Sequence, residues 1–144
     1  MVQIPPSLSF KMQTFLPYPN FEKSLRTLDG RRLGKQRVEA FQILNIILKR
    51  TKTKGWVNHP AVKMWKNYPN ALKIYFNFSL REWKKRGYIN NMKSERVAGK
   101  IVMPRWIGDK KFHASHRSNL LRKNEEYYSR FKWKESKNLD YIWP

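Results

Sequence analysis

Glu39 is an isolated acid. Between Gly30 and Arg81 the sequence has twelve lysines and arginines and no other carboxylate. Arg32, Lys35, Gln36 and Glu39 fall at i−7, i−4, i−3 and i, so on a helix they share one face. A carboxylate there has two uses. It can pair with Lys35 as an ordinary surface ion pair, worth about 0.3–0.5 kcal/mol. It can also serve a reaction. Cleavage of an N-glycosidic bond develops positive charge on the sugar, and a carboxylate stabilises that charge and moves protons there while the surrounding cations hold phosphates. Those cations lower its pKa unless burial opposes them.

The other constellations are simpler. His113, His116 and Arg117, in "HASHRS", place two histidines at i and i+3. That spacing can bind metal, but no nearby acid or cysteine completes a site, so no metal is expected. Phosphate contact by His116, Arg117, Arg122 and Lys123 is the stronger expectation, with Arg31 and Arg37 as further cations for a nucleic acid. His59, before Pro60, reads as a cap or core residue. Trp56, Trp65, Trp83 and Trp106 read as core, with the option that one near the site meets a base. "VAGK" at 97–100 lacks the pattern of a phosphate loop, and no Ser–His–Asp or paired-carboxylate arrangement is present.

Helices must position these residues. Residues 1–11 form a proline-containing extension, and "MQTFLPYPNF" is expected to be extended. Asn20 caps a short helix from Phe21 to about Leu28. The first long helix is predicted from Arg31 to Lys49, with Leu33, Phe41, Leu44 and Leu48 on its apolar stripe. Pro60 and Pro69 start two more, the second stopped by Gly87. Residues 88–108 have no period and read as a long loop, the expected wall or lid of a site. Asp109 caps a last helix to about Arg130, and the aromatic tail docks on the body. The expectation is an all-α fold: one compact helical domain over 12–144 with long irregular loops, behind an N-terminal extension.

Composition sets the partner. The 144 residues carry 31 basic and 10 acidic side chains, a net charge of +21. Such self-repulsion calls for a polyanion, and nucleic acid fits because each cation on a phosphate releases condensed counterions. An anionic membrane fits less well, since the cations are spread along the whole chain. No apolar run reaches the ~18 residues of a membrane span, the N-terminus lacks the pattern of a secretory signal, and no cysteine is present. An intracellular, monomeric, non-secreted protein is expected.

"MQTFLPYPNF", "LDGRRLGKQRVEAFQIL", "GWVNHPAVKMW", "ALKIYFNFSLREWKKRGY", "HRSNLLRKNEEYY" and "LDYIWP" together resemble the pyrimidine dimer DNA glycosylase family of the endonuclease V type, over about residues 12–144. The resemblance implies an all-helical repair enzyme that acts on double-stranded DNA without metal or organic cofactor. It implies that an N-terminal α-amine attacks C1′ of the damaged nucleotide, that a Schiff base forms, and that β-elimination nicks the strand. A helix glutamate is essential there, and Glu39 matches it, with Arg32, Gln36 and His59 lining the same site. One departure stands out: the motif begins at Met12, behind eleven residues. Three readings follow: the working end lies at Met12 or Gln13; the extension brings Val2 to the site; or Lys35, or water, takes the nucleophile's place. Two rivals remain: a non-enzymatic basic nucleic-acid-binding protein, and a glycosylase for another modified base.

Overall fold

The computed structural model describes residues 12–52 and 57–144. Residues 1–11, with Val2, and Trp56 lie outside them. The described residues form six α-helices and no strand: α1 Phe21–Thr27, α2 Gly30–Ile47, α3 Pro60–Trp65, α4 Pro69–Lys85, α5 Lys110–Lys123 and α6 Glu125–Tyr128, with a 3-10 turn Ser129–Phe131. The all-α expectation holds.

Local chemistry explains the ends. Asn20 and Asp109 accept from the N–H groups of the third residues of α1 and α5, Lys23 and Phe112, and prolines open α3 and α4. The last helix stops at Lys123, short of the expected Arg130. Asn124 leaves helical geometry at φ −156° and ψ 77°, and its side chain accepts from Tyr127 N to begin α6.

One hydrophobic cluster runs from Met12 to Tyr128. Leu33, Ala40, Ile43 and Leu44 of α2 and Leu72, Tyr75, Phe76 and Leu80 of α4 are buried in it. Of the tryptophans predicted to be core, Trp65 and Trp106 are buried, while Trp83 is half-buried at the edge. Tyr141 and Trp143 of the tail pack on the cluster as expected.

The segment 12–17 is extended and buried, yet no strand pairs with it. Buried backbone groups need partners, and side chains from several elements supply them. Gln36 Oε1 accepts from Phe15 N at 2.9 Å and Gln36 Nε2 donates to Gln13 O at 2.9 Å. The hydroxyl of Tyr75 lies 2.8 Å from Phe15 O, and that of Tyr141 donates to Thr14 O at 2.7 Å. His116 Nδ1 accepts from Leu16 N at 2.8 Å, His113 Nδ1 donates to Leu16 O at 2.8 Å, and Arg117 Nη1 donates to Pro17 O at 2.7 Å.

This clamp gives a pH prediction. Burial holds both imidazoles below their ordinary 6.5, His116 well below. The unfolded chain therefore takes up protons first as pH falls, so the stability from neutral histidines is present above about 6.5 and lost below it. Thermal denaturation should show the melting temperature dropping with acidification in that window. The drop should be smaller in His116→Asn, whose amide oxygen can still accept from Leu16.

Candidate active site

α2 presents two flanks. Arg31, Lys35, Val38 and Gln42 form its exposed ridge, and Arg32, Gln36 and Glu39 lie to one side of that ridge. Glu39 is half-buried there. Its Oε2 accepts from Gln36 Nε2 at 3.1 Å and lies 3.5 Å from the backbone nitrogen of Gln13. Burial pushes the carboxyl up to about 7, against the lowering effects of the Gln13 N–H, Lys35, Lys123 and Gln36. The cations do surround Glu39, but desolvation outweighs them. A group poised near neutrality serves as carboxylate or as acid in one cycle.

Gln36 was expected to line the site. It is fully buried instead and meets Glu39 from beneath. Its amide orientation is fixed, because Oε1 must accept from Phe15 N–H, leaving Nε2 for Gln13 O and Glu39. It ties the carboxyl of Glu39 to the segment 13–15.

Lys35 stands on the ridge, exposed, near enough to act on Glu39's charge. Lys123, at the end of α5, does the same, and burial with Arg32 and Lys35 lowers its own pKa. Arg32 ion-pairs with Asp29 at 3.1 Å, and its Nη2 approaches Lys123 O at 3.5 Å. Asp29 is itself held by the Tyr128 hydroxyl. This tie anchors the start of α2 to Tyr128.

Other expected contacts are used differently. His116 is 0% exposed and His113 2%, so neither meets a phosphate here; both clamp Leu16. Arg117 ion-pairs with Glu135 at 2.8 Å besides holding Pro17 O. Arg122 donates to Lys137 O and Leu139 O at 2.7 and 3.2 Å. The spacing of "HASHRS" is therefore that of a backbone clamp. Arg31 is exposed on the ridge, and Arg37 lies on the opposite flank, 4.0 Å over the ring of Trp83. His59 caps α3, accepting from Ala61 N at 3.0 Å, and meets Trp143 edge-on at 5.9 Å. No group of three or more His, Cys, Asp or Glu that could hold a metal occurs among the described residues, nor does a helix there have the length and apolarity to cross a membrane.

The long loop is not the wall of this site. Asn70, Lys73 and Asn77, at i, i+3 and i+7 on α4, donate to Ala98 O, Arg96 O and Glu95 O at 3.0, 3.1 and 2.9 Å. Arg50 adds a bidentate pair to Glu95 at 2.8 and 2.9 Å. These residues lie across α4 from Tyr75, whose hydroxyl meets Gln36 at 2.6 Å. What sequence reasoning missed is that the segment 12–17 and Tyr141 flank Glu39, the phenol of Tyr141 being pushed up by burial and by Glu39's charge; Lys123, expected as a phosphate contact, acts on Glu39's charge as well. The one legible signal of this flank was an aromatic tail with no helical period.

The family model described as Pyrimidine dimer DNA glycosylase matches residues 12–96, more than half of the chain. The match takes in Gln13, Gln36, Glu39 and His59. No curated protein and no solved structure matches the chain.

Proposed function

Because the chain belongs to the pyrimidine dimer DNA glycosylase family, and so to the glycosylases of DNA repair, we propose that it excises a damaged base, a pyrimidine dimer or a related lesion, from duplex DNA with Glu39 as its catalytic carboxylate. The observation that carries this reading is the meeting of a carboxyl raised to about 7 with the backbone nitrogen of Gln13, 3.5 Å away.

The chemistry is amine attack. A neutral amine bonds to C1′, the C1′–N bond to the base breaks with its electron pair leaving on the base, and the sugar opens to an iminium. Glu39 stabilises the positive sugar and exchanges protons with the ring oxygen. Loss of a C2′ proton then expels the 3′ phosphate, which is the lyase step. The geometry favours position 13 for the amine. Its nitrogen becomes an α-amine once the chain begins at Gln13, by processing or by starting at Met12 and losing it. Lys35, on the ridge beside Glu39, is the second candidate. Arg31 and Arg37 are the proposed phosphate contacts on α2, with Lys123 beside the sugar. The protein works as an intracellular monomer.

Borohydride trapping tests the reading. Incubated with a panel of lesion duplexes, the protein should form a covalent adduct with one of them, and peptide mapping should place the adduct at Gln13 or at Lys35. Duplex binding with a steep salt dependence, but with neither adduct nor free base from any lesion, would leave only a nucleic-acid-binding protein.

A further inference from the structure

The flank of α2 away from Glu39 carries, beside the proposed phosphate contact Arg37, residues that the reaction does not use. Gly30, Gly34 and Arg37 lie along it at i, i+4 and i+7. Trp83 and Tyr88 stack with centroids 4.1 Å apart and rest against this flank. A Cβ at Gly34 would meet the Trp83 ring at 3.2 Å, and one at Gly30 would meet the Tyr88 hydroxyl at 3.0 Å. The glycines let the aromatic pair approach the helix.

The turn beyond α4 is held firmly. Trp83 Nε1 donates to Ile89 O at 2.9 Å and Tyr88 N donates to Trp83 O at 3.3 Å. Gly87 adopts the left-handed φ of +90° that ends α4. The result is that Ile89 stands in solvent, 84% exposed, the most exposed large hydrophobic side chain among the described residues.

Cations flank the Trp83–Tyr88 pair that carries this apolar tip, Arg37 lying 4.0 Å over the Trp83 ring. Lys84 and Lys85 precede it, both exposed. The nearby acid, Glu82, is ion-paired with Arg86 at 2.8 Å. Arg32, Arg50, Arg86 and Arg117 each hold a carboxylate. Arg37 holds none, and its Nε is buried without a hydrogen-bond partner. Cations beside a rigid, projecting apolar group match a nucleic-acid duplex, whose phosphates take the former and whose base steps take the latter.

We propose that the Trp83–Tyr88 turn is a second DNA contact, in which Arg37 takes a backbone phosphate and Ile89 inserts as a wedge at a base step beside the lesion. The inference rests on the reading of the protein as an enzyme of duplex DNA. A helix is about 10–12 Å across, so a duplex lying along the α2 ridge meets Glu39 on one side and the wedge on the other. Partial unstacking of the step makes the damaged nucleotide easier to withdraw.

The test uses the full chain and a lesion duplex carrying 2-aminopurine at the neighbouring step. Wild type should raise the fluorescence on binding. Ile89→Ala should lose most of that rise and release base about tenfold more slowly, with its melting temperature unchanged because Ile89 is exposed. Arg37→Gln should weaken binding and reduce the salt slope by about one. Wild-type fluorescence and rate in Ile89→Ala would overturn the wedge. A wild type that raises the fluorescence but releases no base from any lesion leaves the wedge standing and overturns the proposed function. Binding to phosphatidylserine vesicles but not to duplex overturns both.

Discussion

Glu39→Gln is expected to bind a lesion duplex as wild type does and to release base at least about 10³-fold more slowly. The amide keeps the shape of the side chain but can neither carry charge nor exchange a proton. Single-turnover base release and a binding titration separate the two effects. The wild-type rate should rise with pH through about 7, where the carboxyl ionises, and the residual rate of the variant should not follow it. Stability should move the other way. Burial raises the folded-state pKa of Glu39 above its ordinary 4.5. The folded state therefore binds the proton more tightly, and the contribution of Glu39 to stability, opposite in sign to that of the clamped histidines, falls as pH climbs from about 4.5 to about 7. Glu39→Gln lacks that loss and should melt above wild type on the alkaline side of this window. Unchanged cleavage of irradiated duplex by the variant would remove Glu39 from the reaction.

Gln36→Leu should do damage of another kind, lowering stability and activity together. Its side-chain amide serves Phe15 N, Gln13 O, Glu39 and the Tyr75 hydroxyl. Leucine fills the space and leaves buried polar groups on the segment 13–15 unpaired, each costing about 1–3 kcal/mol. A total of about 3 kcal/mol corresponds to a melting temperature lower by roughly 10 °C for a chain of this size. Calorimetry reads the stability and single-turnover assays the rate. The pair of variants separates the roles: Glu39→Gln trades activity for stability, and Gln36→Leu loses both. A Gln36→Leu protein that melts and reacts as wild type does would mean that the segment 13–15 is held by other contacts.

The helices were legible because their signals are local. Asn20, Asp109, Pro60 and Pro69 mark starts, and the apolar stripe of α2 is a repeat along one chain. Glu39 was legible for the same reason, as one acid on a cationic face. Its pKa was not. The sign depends on how much protein covers the carboxyl, and the cover comes from Gln13 and from the end of α5. The roles of His113, His116 and Arg117 were hidden similarly. Their partner is the backbone of Leu16 and Pro17, about a hundred positions away in the chain, and backbone atoms carry no sequence signature. Residues 88–108 looked like a lid because they lack a period. Asn70, Lys73 and Asn77 instead lash that loop to the far side of α4, through polar residues that read as ordinary helix surface.

The extended segment at 13–17 owes its placement to helices that are not its neighbours in the chain. α2, α4, α5 and the tail each contribute a grip, so the backbone beside Glu39 is held in register by contacts from all four. The placement of position 13 is thereby coupled to completion of the whole fold: a chain halted before α5, or frayed at its tail, keeps its glutamate but lacks part of the grip on the backbone beside it. On the proposed reading, a DNA glycosylase is in this way kept from acting while it is still half made.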